Sequence, residues 1–205
     1  NGRAEKDDNL KLALAVGDIL EKNGIDVVYT RTTDEYETPF KKATDANDAK
    51  ADYFVSIHRN SSPTPNQYTG VETLVYNNSG IKSQMAANIN SELEKAGFKN
   101  LGITERPNLV VLKRTKMPAV LVEASFINND KDNETFDKNF NQIANGIADG
   151  ILKTLGIKPK TNNTTAQAAS GEVPSVKSDS AKSTEIMPAA CEKKPASPAK
   201  PACNC

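Results

Sequence analysis

Two continuous apolar runs of strand length, each followed by an ionisable side chain, constrain this sequence more than any other feature. Residues 53–57 lead into His58, the one histidine of the chain, and residues 119–122 lead into Glu123. Uninterrupted apolar strands are typical of a sheet that is covered on both faces. The two runs therefore predict a buried sheet that presents an imidazole and a carboxylate at its carboxyl edge, where open α/β sheets form their sites.

Helical patterns separate these runs. In the first of them, apolar residues recur at helical spacing from Leu12 to Leu20, and Asn23-Gly24 follows as a stop signal. The patterns predict helices over residues 8–23, 39–49, about 85–97 and 136–156, and further strands over residues 25–31, 71–76 and 109–112. Strands that alternate with helices predict an α/β fold with an open, mostly parallel twisted sheet and helices on both faces.

The composition changes after residue 157. The stretch that follows holds six of the eleven prolines and is rich in Ser, Thr, Ala and Lys. It can bury too little apolar surface to offset the entropy of ordering, so residues 158–205 are predicted to be a disordered tail behind a folded domain over residues 1–157. The tail also carries all three cysteines, Cys191, Cys203 and Cys205, which are expected to be inert or foreign to the domain.

Charge and hydropathy exclude several kinds of partner. The chain has 26 basic and 26 acidic residues, and this balance offers no broad basic surface of the kind that nucleic acid binding needs. No stretch approaches the roughly 20 apolar residues of a membrane span. The domain is long enough to bury a core without disulfides or oligomerisation, so a monomer is expected.

Three motifs occur in order along the domain. They are Glu5-Lys6-Asp7 with Asn9-Leu10 at the start of a helix, Ser56-Ile57-His58 with Asn60 at the end of a strand, and Met117-Pro118-Ala119-Val120-Leu121-Val122-Glu123 with Phe126 and Asn128. Together they resemble the zinc-dependent N-acetylmuramoyl-L-alanine amidases of the amidase type 3 family. The resemblance runs from residue 1 to about residue 157 and rests on the order of the motifs, since each one alone is weak.

The resemblance implies a peptidoglycan hydrolase that cleaves the amide bond between N-acetylmuramic acid and L-alanine of the stem peptide. Its cofactor would be Zn²⁺, which supplies a strong nucleophile and polarises the carbonyl group. By resemblance, Glu5 and His58 are two metal ligands, an upstream histidine is the third, and Glu123 is the general base. A secreted protein acting outside the cell or in the cell wall is expected.

The start of the chain departs from the family's pattern. Such amidases begin with a strand and a glycine-rich loop that carries the first histidine ligand, and this sequence starts after that point. The expectation is therefore a fragment that lacks its first strand, binds zinc poorly and is impaired in catalysis. At residue 59 a small side chain is expected, and Arg59 departs from this pattern. The larger side chain is expected to narrow access to the site without touching a metal ligand.

Further candidate residues lie near the predicted strand ends. Asn60 could bind substrate or hold its loop, and the loop role is favoured. Arg106 and Asn108 could position substrate, although Arg106-Pro107 also fits a simple turn. Taken one at a time, His58, Glu123 and Glu5 also have purely structural interpretations, Glu5 as an acid that favours a helix N-terminus.

Two alternative functions use the same residues. A zinc carboxypeptidase or aminopeptidase has the same ligand types and a glutamate base, and it would need an arginine such as Arg106 or Arg114 to hold a terminal carboxylate. A wall-binding module without catalysis is the alternative from another class, favoured by the absence of a first histidine ligand. Analysis of products from muropeptides separates the two enzymes.

Overall fold

The computed structural model describes residues 2–159. The predicted tail lies almost entirely outside these residues, and so do its three cysteines. Within the described part, no helix is both long enough and apolar enough to cross a membrane.

A four-stranded sheet forms the centre of the described domain. Its strands are β1 (Phe54–Asn60), β2 (Val71–Val75), β3 (Asn100–Glu105) and β4 (Ala119–Phe126), in the spatial order β1-β4-β2-β3. β1 pairs with β4 and β2 pairs with β3 in parallel, whereas β2 and β4 are antiparallel. The predicted α/β class with an open, mostly parallel sheet is confirmed.

Six helices surround this sheet. They are α1 (Glu5–Lys22), α2 (Pro39–Ala49), α3 (Gly80–Lys95), α4 (Val110–Arg114), α5 (Asp130–Lys138) and α6 (Phe140–Thr154). The larger core cluster joins α1, α3 and α6 to one face of the sheet, and a smaller cluster joins α2 and α4 to the other. The alternation along β4 shows this division, because Val120 and Val122 belong to the first cluster and Ala119 and Leu121 to the second.

Local signals explain where α2 begins and ends. The Thr38 hydroxyl accepts a hydrogen bond from the Lys41 backbone N–H at 3.2 Å, and Pro39 occupies the first turn, where its missing N–H costs nothing. Lys50 ends the helix in the left-handed region at φ 58°. The short connection that follows brings the chain directly into β1, so α2 sets where the His58 strand starts.

The predicted strand over residues 109–112 is wrong, because Val110–Arg114 forms the short helix α4. Val111 and Leu112 are buried in the smaller core cluster. A helix of five residues is too short to show a helical period, so its apolar residues resemble a buried strand in the sequence.

Three other elements differ from the sequence prediction. Residues 25–31 were predicted as a strand, but in the described structure no strand of the sheet pairs with them. Without such backbone hydrogen bonds the segment does not form a strand. The single helix predicted over residues 136–156 is two helices that meet at Asn139. β3 was not predicted, since its residues are partly exposed and include Gly102 at φ 89°.

The crossing of α3 and α6 is tighter at Gly150 than at Gly146. A Cβ atom at Gly150 would lie 2.6 Å from the Ile89 Cα atom, so the helix backbones would have to separate. We expect Gly150→Ala to destabilise the domain by about 1–3 kcal/mol, the usual cost of overpacking a core. Gly146→Ala is a milder substitution on the same helix, because the atoms nearest to its Cβ atom would be those of Glu92, at 3.3–3.4 Å.

Thermal or urea unfolding of both variants measures this difference. Gly146→Ala should unfold within about 1 kcal/mol of the parent, since alanine also raises helix propensity. Equal stability of the two variants would show that α3 and α6 do not pack at the described distance.

Candidate active site

The sheet places three ionisable side chains next to one another. His58 on β1 is in register with Glu123 on β4, and Glu123 is in register with Glu72 on β2. Neighbouring strands lie about 4.8 Å apart, so the three side chains form a row on the face that carries the smaller core cluster. His58 and Glu123 are buried, whereas Glu72 is partly exposed. The sequence motifs predict His58 and Glu123 as site residues, but they do not predict Glu72.

Glu5 completes the group from a different element. It is the first residue of α1, and its Oε1 atom lies 3.0 Å from His58 Nδ1. The same oxygen accepts hydrogen bonds from the Asn9 side chain at 3.1 Å and from the Arg59 backbone N–H at 3.2 Å. The structure therefore brings Glu5 and His58, which are far apart in sequence, into direct contact.

The environment of Glu5 favours its ionised form. Burial is the largest single influence and raises the pKa of this carboxyl group. The hydrogen bond and the charge of His58, with smaller effects of Asn9 and the Arg59 N–H, together outweigh burial and hold the pKa below its ordinary value. A carboxylate that stays ionised is a suitable donor for a cation.

The Glu5–His58 pair has a spacing that suits two ligands of one metal ion. Ligand atoms about 2.0–2.1 Å from a tetrahedral zinc lie about 3.3 Å apart, and the two donor atoms here are 3.0 Å apart. Carboxylate oxygen and imidazole nitrogen are both common zinc donors. Among residues 2–159 there is no group of three His, Cys, Asp or Glu side chains that could hold a metal ion. The described residues thus fit part of a zinc site.

Asn60 takes part in a side-chain network that includes Glu72. Its amide Nδ2 donates to Glu72 Oε1 at 2.9 Å, and its Oδ1 accepts from the Ser61 backbone N–H at 2.8 Å. Thr104 on β3 donates to the other Glu72 oxygen at 2.8 Å. Because β4 lies between β1 and β2, the Asn60–Glu72 hydrogen bond crosses over β4 close to Glu123.

Arg59 does not narrow the access to this site, and that interpretation of the sequence is wrong. Side chains alternate along β1, so Arg59 faces away from His58, and its side chain is 0% exposed. It packs on Phe136, with its Cζ atom 4.1 Å from the ring centroid. Burial lowers the pKa of this guanidinium, and Asp8 opposes that effect.

A bulge in β4 follows Glu123. His58 pairs with Glu123 but Asn60 pairs with Phe126, so β4 contains one extra residue at this point. Within the bulge Ser125 is fully buried and has φ 99°, a conformation that non-glycine residues rarely adopt. Neither the bulge nor Ser125 was predicted, because nothing in the local sequence distinguishes Ser125 from an ordinary strand residue.

Asp132 also has a role that the sequence motifs do not predict. This buried carboxylate accepts hydrogen bonds from the backbone N–H groups of Gly70 at 3.0 Å and Phe126 at 2.8 Å, and from the Thr69 hydroxyl. It therefore joins the start of β2 and the end of β4 to α5. The Asn129 side chain, which accepts from the Asp132 N–H at 3.0 Å, caps α5 and was a local signal for this arrangement.

The remaining candidates lie at a different end of the strands. The Arg106 backbone N–H donates to Val75 O at 2.8 Å, and Val75 pairs with Val120, three positions before Glu123 on β4. That separation is about 10 Å along the strand. Arg106, Asn108 and Arg114 are all exposed.

Comparison with known proteins agrees with these features. The profile of the N-acetylmuramoyl-L-alanine amidase family Amidase_3 matches residues 1–153, and the chain belongs to this family. It is 35% identical to the endolysin of Bacillus phage SPP1 over 78% of this chain and 62% of that protein. It is 34% identical to the sporulation-specific N-acetylmuramoyl-L-alanine amidase of Bacillus subtilis over 80% of this chain and 64% of that protein.

A solved structure shares the fold. The catalytic domain of the amidase CwlV from Bacillus (Paenibacillus) polymyxa var. colistinus superposes with a TM-score of 0.70 at 36% identity, covering 77% of this chain and 88% of that domain. The chain therefore corresponds to most of a catalytic domain, and it spans less than two thirds of the length of the two curated relatives named above.

Proposed function

We propose that this protein is a peptidoglycan hydrolase that cleaves the amide bond between N-acetylmuramic acid and L-alanine of the stem peptide. The observation that carries the proposal is the contact between Glu5 and His58 next to Glu123, in a chain that belongs to this amidase family. The bond that is cleaved comes from the family, because the geometry by itself supports hydrolysis of an amide without selecting one.

Glu5 and His58 are proposed to hold a zinc ion through Oε1 and the imidazole ring. Bound zinc acidifies a water molecule and polarises the carbonyl group of the amide. A third ligand would have to come from outside the described residues or from solvent, since residues 2–159 contain no group of three such side chains. The hydrogen bonds from Asn9 and the Arg59 N–H orient the Glu5 carboxylate toward this role.

Glu123 is proposed as the general base. It is buried at 6% exposure and lies one strand away from His58. This position supports a role beside the proposed metal ligands rather than as one of them. It would take a proton from the attacking water and return it to the alanine nitrogen as the amide bond breaks. The products are then a free lactyl carboxylate on the sugar and a free amine on the peptide.

Asn60, Arg106 and Asn108 are proposed as substrate-binding residues with unequal support. Asn60 is close to the row of ionisable residues through Glu72, and its amide is already used in holding that carboxylate. Arg106 and Asn108 are exposed at the far end of β3, so they would contact a part of the glycan strand or peptide remote from the cleaved bond.

Because peptidoglycan lies outside the cytoplasmic membrane, the proposed substrate places the action of the enzyme in the cell wall. Digestion of purified sacculi tests the proposal against the peptidase alternative. We expect new N-terminal alanine and no free amino acid from the end of the stem peptide. Release of a terminal amino acid without new N-terminal alanine would favour a carboxypeptidase or aminopeptidase.

A further inference from the structure

Arg59 carries a buried charge but is neither a proposed metal ligand nor the proposed general base. Its side chain lies on the opposite face of β1 from His58, fully shielded from solvent against Phe136. A guanidinium in such a place is costly unless its N–H groups are paired. Hydrogen-bond acceptors must therefore surround the Arg59 guanidinium. The positions of these acceptors show which elements the guanidinium connects.

The acceptors belong to three separate elements. Nη1 donates to Asp8 Oδ2 on α1 at 2.6 Å, and Nη2 donates to Asn133 Oδ1 on α5 at 2.7 Å. Nε and Nη2 both donate to the Ser125 hydroxyl in the β4 bulge, at 3.2 and 2.9 Å. The planar guanidinium fixes the angles between these bonds, so it also fixes α1, α5 and the bulge relative to β1.

The first of these contacts bears on the Glu5–His58 pair. Asp8 lies one helical turn after Glu5, and the backbone N–H of Arg59 donates to Glu5 Oε1. Arg59 thus binds the first turn of α1 at two points, with its backbone at Glu5 and its side chain at Asp8. These two bonds hold the Glu5 carboxylate against the imidazole of the preceding residue, His58.

The second contact bears on Glu123. Ser125 follows Glu123 by two residues and keeps a φ of 99°, a conformation that is strained for a non-glycine residue. Two hydrogen bonds from Arg59 hold the Ser125 hydroxyl and stabilise this conformation. A bulge changes the direction of the strand next to it, so its geometry sets how the end of β4 presents Glu123.

We propose that Arg59 is a positioning residue that sets Glu5, His58 and Glu123 relative to one another through Asp8 and Ser125. The inference rests on the proposed function, since it assigns a task to the same site. Loss of the guanidinium should lower zinc affinity and kcat, because both depend on that geometry. KM should change little, because the Arg59 side chain lies on the face away from the substrate.

Arg59→Met tests the proposal, since methionine retains an apolar stem over Phe136 and removes the five donors. Partners that orient metal ligands typically account for about 10–100-fold in affinity or activity, and we expect losses in this range in zinc affinity and in kcat. Zinc affinity is measured by competition with a chromophoric chelator, and kcat and KM with a soluble muropeptide.

Arg3→Met is the matched control. Arg3 pairs with the same Asp8 at 2.6 Å and lies 5.3 Å from the centroid of the same Phe136 ring, but it also pairs with the exposed Asp137. Its loss should lower the melting temperature modestly and leave zinc affinity and kcat within about twofold, as for other partly exposed ion pairs. Equal effects of the two variants on zinc affinity would overturn the proposal.

Ser125→Gly is a second test of the proposal, which applies even if Arg59→Met does not fold. Glycine accepts φ 99° without strain, so the variant should fold while losing the acceptor for two Arg59 donors. In untagged, metal-free protein the imidazole of His58 gives the only histidine NMR signal, and we expect this signal to shift and zinc affinity to fall. A folded Ser125→Gly protein with the parental signal, zinc affinity and kcat would overturn the proposal.

The outcomes also separate this proposal from the proposed function. If the parent released no N-terminal alanine, the amidase proposal would fail, and the zinc affinities of Arg59→Met and Arg3→Met would still decide the role of Arg59. If the parent is an active amidase and Arg59→Met loses only thermal stability, Arg59 is a structural residue and the proposed function stands.

Discussion

Glu123→Gln is expected to lower turnover on peptidoglycan by about 10²–10⁴-fold while zinc stays bound. Glutamine preserves the size of the side chain, and Glu123 lies in a buried position on β4 where a larger change would disturb packing. The amide cannot accept a proton from the attacking water. In this variant the zinc content should therefore stay at the parental value while kcat falls.

Glu94→Gln provides the control for that experiment. Glu94 is exposed on α3, so the same chemical change there should leave both zinc content and kcat at parental values. Zinc content is measured by elemental analysis, and kcat is measured by an end-group assay of alanine. A Glu123→Gln protein that releases alanine at the parental rate would remove Glu123 from the role of base.

His58→Ala is expected to abolish the stabilisation that zinc confers on the parent. A ligand present at 100 times its Kd stabilises a folded protein by about 2.7 kcal/mol, which raises the melting temperature by several degrees. The variant loses the one imidazole of the chain, which leaves Glu5 as the single proposed ligand among the described residues. Its melting temperature should hardly respond to added zinc.

Melting curves with and without zinc check this expectation. Glu94→Gln again serves as the control and should show the full parental increase. If His58→Ala showed the same zinc-dependent increase as the parent, His58 would not be a ligand and the proposed metal site would have to be placed elsewhere.

The elements that were predicted correctly are those with a strong hydrophobic pattern in the sequence. Residues 54–58 and 119–123 are buried on both faces, so their apolar runs identified β1 and β4 and the residues at their ends. The helical stripe of α1 similarly identified the helix that begins at Glu5. The contact between Glu5 and His58 was implied by the family resemblance, and no local pattern in the sequence contains it.

The elements that were missed depend on tertiary contacts. α4 was interpreted as a strand because only packing on the smaller core cluster distinguishes a buried five-residue helix from a strand. Arginine side chains are usually exposed, so the sequence does not predict that Arg59 is buried. Only the surrounding acceptors, including Ser125, explain its burial. Glu72 was missed because its importance arises from the antiparallel pairing that places it beside Glu123.

Hydrolysis of a defined muramyl peptide in water enriched in oxygen-18 tests the central claim most directly. Cleavage at the proposed bond should place one labelled oxygen in the lactyl carboxylate of N-acetylmuramic acid and release a peptide with an unlabelled, free alanine amine, as read by mass spectrometry. Label found in a carboxylate of the stem peptide, with the lactyl amide intact, would contradict the assignment of this protein as an amidase of that bond.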